Sequence, residues 1–209
     1  DHLRRLSENV PGLPGSCLPT PCLTAAARAV GSGACNKFNS VTFSKPSTFI
    51  GKHMKTCKAA VFSGNGRDLE IKSFPIPKLQ PGELLVQIEA CTICGSDLHT
   101  IEGKREEKTP TILGHETIGT VIDSCGSVHD FNHHELNLGD RITWSVCISC
   151  CTCDRCQTGM PQKCRHLKKF GHEQISENMP LLGGFSERVL LPAGAVSFKI
   201  PPEIESSTI

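Results

Sequence analysis

Four cysteines within fifteen residues, Cys150, Cys153, Cys156 and Cys164, restrict this chain more than any other feature. The C-x2-C-x2-C-x7-C spacing lets four thiolates wrap a single Zn²⁺ tetrahedrally, at about 2.3 Å each. Such a closed site has no position for substrate, so its role is to fold a lobe, residues 147–170, that has little apolar content of its own. Metal binding then becomes folding free energy, ~10–16 kcal/mol in zinc-finger peptides. A disulfide framework is the usual account of many cysteines in a small secreted chain. Here Cys150 and Cys151 are adjacent and would pair awkwardly, the total of 13 cysteines is odd, and no apolar secretory segment stands near the start. Four cysteines are also the usual donors of an iron–sulfur cluster. A zinc ribbon on nucleic acid would bring basic and aromatic neighbours. Lys163, Arg165, Lys168 and Lys169 supply charge, but only Phe170 supplies an aromatic ring. Cys147 and Cys151 are surplus to the cluster.

A second group of metal-ligating residue types precedes the lobe. Cys94-Gly95-Ser96-Asp97-Leu98-His99 is followed, after a charged loop, by Leu113-Gly114-His115-Glu116. Taken singly, Cys94 reads as a small buried hydrophobe and His115 as a satisfied core histidine. Together, a thiol and an imidazole, each beside a carboxylate, are the parts of an open zinc site with one position left for water or substrate. Asp97 and Glu116 would stand behind the ligands, orienting the imidazole and tuning the metal. Ser96 also suits the N-cap of a short helix that follows it.

The texture of the chain changes near residue 54. Residues 1–53 carry six Lys/Arg against Asp1 and Glu8, with dense Pro and Gly at Val10-Pro11-Gly12-Leu13-Pro14-Gly15. This reads as a disordered leader, as an organelle transit segment, or as a stretch extraneous to the fold ahead of a start at Met54. From Lys58 onward, short strands alternate with turns: Lys58–Phe62, Leu69–Lys72, Leu84–Ala90, Ile118–Ile122, Arg141–Val146 and Ser186–Leu191. Leu84, Val86, Ile88 and Ala90 form the predicted inward set of the third. Gly139-Asp140-Arg141 and Gly183-Gly184 read as tight turns in which glycine adopts positive φ. The class is mainly β, a barrel or sandwich over residues 54–209. A net charge of +1 gives no reason to expect nucleic acid or an anionic membrane as partner. No apolar run nears the roughly 20 residues that span a bilayer.

The two constellations, in this order, resemble the zinc-containing medium-chain alcohol dehydrogenases over roughly Met54 to Ile209. Cys94 to His99 is similar to the family segment that supplies the first catalytic-zinc ligand and the proton relay. Gly114-His115-Glu116 with Gly119 is similar to its Gly-His-Glu motif, His115 being the second ligand. Cys150, Cys153, Cys156 and Cys164 match the structural-zinc lobe, with Cys151 where the family usually has Gly. Gly139-Asp140-Arg141-Ile142 and Gly183-Gly184-Phe185-Ser186-Glu187 resemble two further family turns, and the stretch from Gly184 onward resembles dehydrogenases associated with phosphonate catabolism.

The resemblance implies a GroES-like, partly open β-barrel with a four-Cys zinc lobe. In the family a Rossmann domain that binds NAD or NADP follows it. No G-x-G-x-x-G occurs in the 209 residues, and Ser207-Thr208-Ile209 resembles the stretch before the third catalytic ligand. The implied reading is an N-terminal fragment of an alcohol dehydrogenase, inactive by itself and cytoplasmic, or mitochondrial if residues 1–53 are a transit segment. In the complete protein, which would act on a small-molecule alcohol and could be a homo-oligomer, zinc would polarise the alcohol. Ser96 would accept its proton and pass it to His99, and nicotinamide would take hydride. The other reading is a non-catalytic zinc-binding module retained after loss of the cofactor domain.

Overall fold

The computed structural model describes residues 56–64 and 67–204. The readings made of residues 1–53, of Met54 and of Ser207-Thr208-Ile209 lie outside the described residues. The strands are β1 (Thr56–Phe62), β2 (Glu70–Pro75), β3 (Leu84–Thr92), β4 (Thr111–Ile112), β5 (Glu116–Ser124), β6 (Arg141–Trp144), β7 (Cys147–Ile148), β8 (Lys168–Lys169), β9 (Arg188–Leu191) and β10 (Ser197–Lys199). Two short helices, α1 (Gly95–Ile101) and α2 (Asp154–Gln157), and a 3₁₀ turn at Pro161–Lys163 complete the regular structure.

All strand pairings are antiparallel, in sheets ordered β2-β1-β4, β10-β6-β5-β3-β9 and β7-β8. An isolated bridge from Ala59 to Ser186 joins the first sheet to the approach to β9. The result is the mainly β, incompletely closed architecture that the resemblance implies.

Because successive strand residues point to opposite faces, β9 serves two cores at once. Val189 and Leu191 face a larger core with Leu84, Val86, Val121, Ile142, Trp144 and Phe170. Leu190 faces a smaller one with Cys57, Ala59, Val61, Ile112 and Leu181. Burying each such aliphatic side chain contributes about 1.5–3 kcal/mol.

The same two-sided burial alters the reading of β3. Leu84 and Val86 are buried as expected, but so is Leu85. It lies opposite Leu190 in the register, the β9 residue that faces the smaller core. β2 shows the converse: its alternation does not signal burial, and Ile71 is 69% exposed, on a face of β2 that neither core covers.

The glycine turns divide. Gly139 has φ +91°, as a tight turn requires. Gly183 and Gly184 do not have positive φ; close approach is what demands glycine there. A Cβ on Gly183 would lie 2.0 Å from the Ile112 carbonyl oxygen, and one on Gly184 2.3 Å from Thr117 Cγ2.

Two connections place the metal-ligating residues. The β3–α1 corner presents Cys94, and the β4–β5 connection presents Gly114 and His115 directly before β5. The β7/β8 pair, with Cys147 opposite Lys169 and Ile148 opposite Lys168, closes the base of the cysteine lobe.

Candidate metal centres

The ten cysteines among the described residues are all free thiols. The sulfurs of Cys150, Cys153, Cys156 and Cys164 all lie within 4.8 Å of one another. Cys164 Sγ is 3.4 Å from Cys150 Sγ, and Cys153 Sγ is 3.5 Å from Cys156 Sγ and 3.9 Å from Cys164 Sγ. Thiolates about 2.3 Å from a tetrahedral zinc stand about 3.8 Å apart, so the cluster has the right size.

Backbone geometry also favours thiolate here. The Cys150 and His166 N–H groups donate to Cys164 Sγ at 3.3 Å, and the Cys153 N–H donates to Cys150 Sγ at 3.4 Å. The Thr152 hydroxyl and N–H, with the Cys153 N–H, bring the Cys150 thiol down to about 5. The N–H groups of Arg165 and Cys156 lower Cys153. Burial pushes Cys156 up to about 12. Four thiolates this close repel one another, and a divalent cation among them is what lets all four ionise. Asp154 and Arg165 form a two-pronged ion pair at 2.6 and 2.8 Å beside the cluster. Both side chains are more than half exposed, so water screens the pair and it adds little.

The second constellation assembles around a buried carboxylate. Cys94 is the N-cap of α1, with extended backbone at φ −77° and ψ 154°, so the cap is Cys94 and not Ser96. Asp97, 0% exposed, lies in the first turn of α1. Its Oδ2 accepts the Cys94 N–H at 2.9 Å and its Oδ1 accepts the Gly114 N–H at 3.1 Å. One carboxylate thereby ties together the two segments that bear the ligands. The same Oδ1 is 3.6 Å from His115 Nδ1, too far for a hydrogen bond, and that buried nitrogen has no other partner. With Nδ1 turned to Asp97, Nε2 is the nitrogen available to a metal, and Ser96 Oγ stands 3.4 Å from it.

Cys94, His115 and Glu116 each offer a donor atom within 4.8 Å of the others. Glu116, read from sequence as standing behind the ligands, has its carboxylate within the donor set itself, where Thr92 Oγ1 donates to it at 2.5 Å. Thiolate, imidazole and carboxylate with an open fourth position make a donor set of the kind zinc takes at reactive sites. Burial first, and the charge of Asp97 next, push the neighbouring Cys91 thiol up to about 12, which keeps it a protonated packing group.

His115 and Glu116 line an open cleft of about 380 Å³ whose apolar wall includes Ala90, Ile118, Trp144 and Val146. That is the size range of small-molecule pockets. His99 is exposed on α1, three residues beyond Ser96. Sequence reasoning missed one group. His172, its side chain 9% exposed, packs against His115 with ring centroids 4.9 Å apart. Its Nδ1 lies 2.9 Å from Glu107 Oε1, which Arg105 Nε also approaches at 2.9 Å. Burial is the main cause lowering the pKa of His172, opposed by Glu107. Glu107 and His172 are 65 residues apart, and no local spacing announces the pair.

An antiparallel β domain with a closed four-thiolate cluster and an open, mixed donor set defines a class, that of zinc-type dehydrogenase domains. The chain belongs to the zinc-containing medium-chain alcohol dehydrogenase family, its residues 80–202 matching the family model "Alcohol dehydrogenase GroES-like domain". An alcohol dehydrogenase of Geobacillus stearothermophilus is 36% identical over 151 residues, 71% of this chain and 41% of that protein. An L-threonine 3-dehydrogenase of Bacillus velezensis is 30% identical over 152 residues, 71% of this chain and 40% of that protein. Among solved structures, an alcohol dehydrogenase from Thermotoga maritima superimposes with a TM-score of 0.66 at 30% identity, covering 72% of this chain and 42% of that one. A zinc-binding dehydrogenase from Sinorhizobium meliloti bound to NADP gives a TM-score of 0.58 at 33% identity, covering 72% and 40%. The chain thus spans about two fifths of the length of the relatives it matches.

Proposed function

We propose that this chain carries the metal-binding, proton-handling part of a nicotinamide-dependent alcohol dehydrogenase. Cys94, His115 and Glu116 would hold a catalytic zinc, and Cys150, Cys153, Cys156 and Cys164 a structural one. The observation that carries the reading is the mixed donor set within 4.8 Å, opening on the cleft of about 380 Å³. Zinc supplies Lewis acidity, which eases proton loss from an alcohol near neutral pH.

The remaining work falls to the chain's own side chains. Asp97 fixes the Cys94 and Gly114 backbones and so aims both ligands. The apolar wall of the cleft excludes water from the carbon side of the substrate. Ser96 Oγ, beside His115 Nε2, takes the alcohol proton as it passes its own to exposed His99 on the same helix, which releases it to solvent. Hydride goes to NAD or NADP, for which no residue of this chain is assigned.

The test begins with metal. The purified chain should hold close to one tight zinc and a second, weaker one, and Cys94→Ala should remove only the second. Alone, the 209 residues should reduce neither NAD nor NADP. Joined to the cofactor-binding part of the Geobacillus relative, they should oxidise an alcohol, and Cys94→Ala should abolish that activity. Metal-free protein, or an inactive chimaera with both zincs bound, would refute the reading.

A further inference from the structure

We propose that His172, locked by Glu107, is the positioning residue that sets the ring orientation of His115 for metal. The proposal rests on the reading of Cys94, His115 and Glu116 as a metal site. Neither nitrogen of His115 is held by a short hydrogen bond: Nδ1 is 3.6 Å from Asp97, and Nε2 is 3.4 Å from Ser96. An imidazole with two loose polar contacts must take its orientation from packing, and the ring packed on it is His172, at 4.9 Å and a tilt of 37°.

His172 is itself fixed. Its Nδ1 sits 2.9 Å from Glu107 Oε1, and an ionised carboxylate only accepts, so Nδ1 carries the proton. Glu107 is 10% exposed, and the same Oε1 is met at 2.9 Å by Nε of Arg105, whose backbone N–H donates to the His99 carbonyl at 3.1 Å. The contacts run from the end of α1 through Arg105, Glu107 and His172 to His115. The backbone makes room for this. Gly171, at φ +77°, lies so close to Gly114 that a Cβ would come 2.8 Å from the Gly114 carbonyl oxygen. That approach brings His172 down onto the residue after Gly114.

The experiment uses the full chain with zinc in the four-cysteine cluster, titrated with Co²⁺ at the second site and followed by thiolate-to-cobalt absorption. His172→Ala should weaken Co²⁺ binding there by about 10–100-fold, the usual effect of losing a residue that orients a ligand, with the cysteine cluster unchanged. His172→Phe, which keeps a ring, and His172→Asn, which keeps a donor near the Nδ1 position, should each recover part of the affinity. A second readout needs no cobalt. Side-chain NMR relaxation should show the His115 ring gaining motion in His172→Ala while backbone amides of residues 94–119 stay as they were. Affinity and ring order both unchanged in His172→Ala would overturn the proposal. If that variant does not fold, His172→Phe decides: several-fold weaker binding supports the clamp, and unchanged binding overturns it. If the unaltered chain binds no cobalt beyond the cysteine cluster, the metal reading fails, and ring order alone decides the clamp.

Discussion

Replacing Asp97 tests how the open site is built. The side chain is fully buried and accepts two backbone N–H groups, from Cys94 at 2.9 Å and Gly114 at 3.1 Å. In Asp97→Ala both donors lose their partner. A hydrogen bond to a charged group is worth about 1.5–3 kcal/mol. The Gly114 bond is buried and belongs near the top of that range, and the partly exposed Cys94 bond near the bottom. The sum is about 4.5 kcal/mol. For a chain of this size that corresponds to a fall in thermal midpoint of roughly 9–18 °C. Asp97→Asn sharpens the test, because it conserves volume but keeps one acceptor and turns an NH₂ toward the other N–H. It should cost at least half as much as the alanine variant. Urea unfolding, monitored by the fluorescence of Trp144, gives both numbers. An asparagine variant within about 0.5 kcal/mol of the unaltered chain would show that Asp97 fills space and does not organise the site.

Three further outcomes are expected. Cys153→Ser should release the tight zinc and open residues 147–170 to protease, whereas Cys94→Ser should leave that zinc in place; equal zinc loss by elemental analysis in the two variants would contradict the division into two sites. Gly183→Ala should destabilise strongly, by more than about 3 kcal/mol, because its Cβ meets backbone at 2.0 Å and has no side chain to push aside; a normal thermal midpoint would count against the β4 contact. Burial alone would raise the Asp130 carboxyl, but N–H donors from His134, Lys199 and Asn132, with the His134 ring, outweigh it and hold the group below its usual 3.8. Its stabilisation is therefore complete above pH 3.8 and is lost as pH falls through the lower folded value. Asp130→Asn should flatten that acid limb in a series of urea midpoints against pH, and an unchanged limb would refute the assignment.

Two parts of this protein were legible from residue order because they are local. Four cysteines within fifteen residues can reach one ion whatever surrounds them, and their sulfurs do converge. The turn signals that bound Lys58–Phe62, Leu84–Ala90, Ile118–Ile122, Arg141–Val146 and Ser186–Leu191 likewise placed β1, β3, β5, β6 and β9, since Gly and Pro punctuate a chain locally. Tertiary structure decided what depends on chain segments meeting. The pairing of β9 with β3 sets Leu190, which faces the smaller core, opposite Leu85, so Leu85 is buried, whereas neither core reaches Ile71. Gly183 is required by a carbonyl some 70 residues away in sequence, not by its own turn. Glu116 enters the donor set because the start of β5 lies beside the end of β3, where Thr92 pairs with it. His172 reaches His115 only because Gly171 packs on Gly114. Each of these is a distance between residues far apart in sequence, and sequence spacing sets distances only where the intervening chain is short.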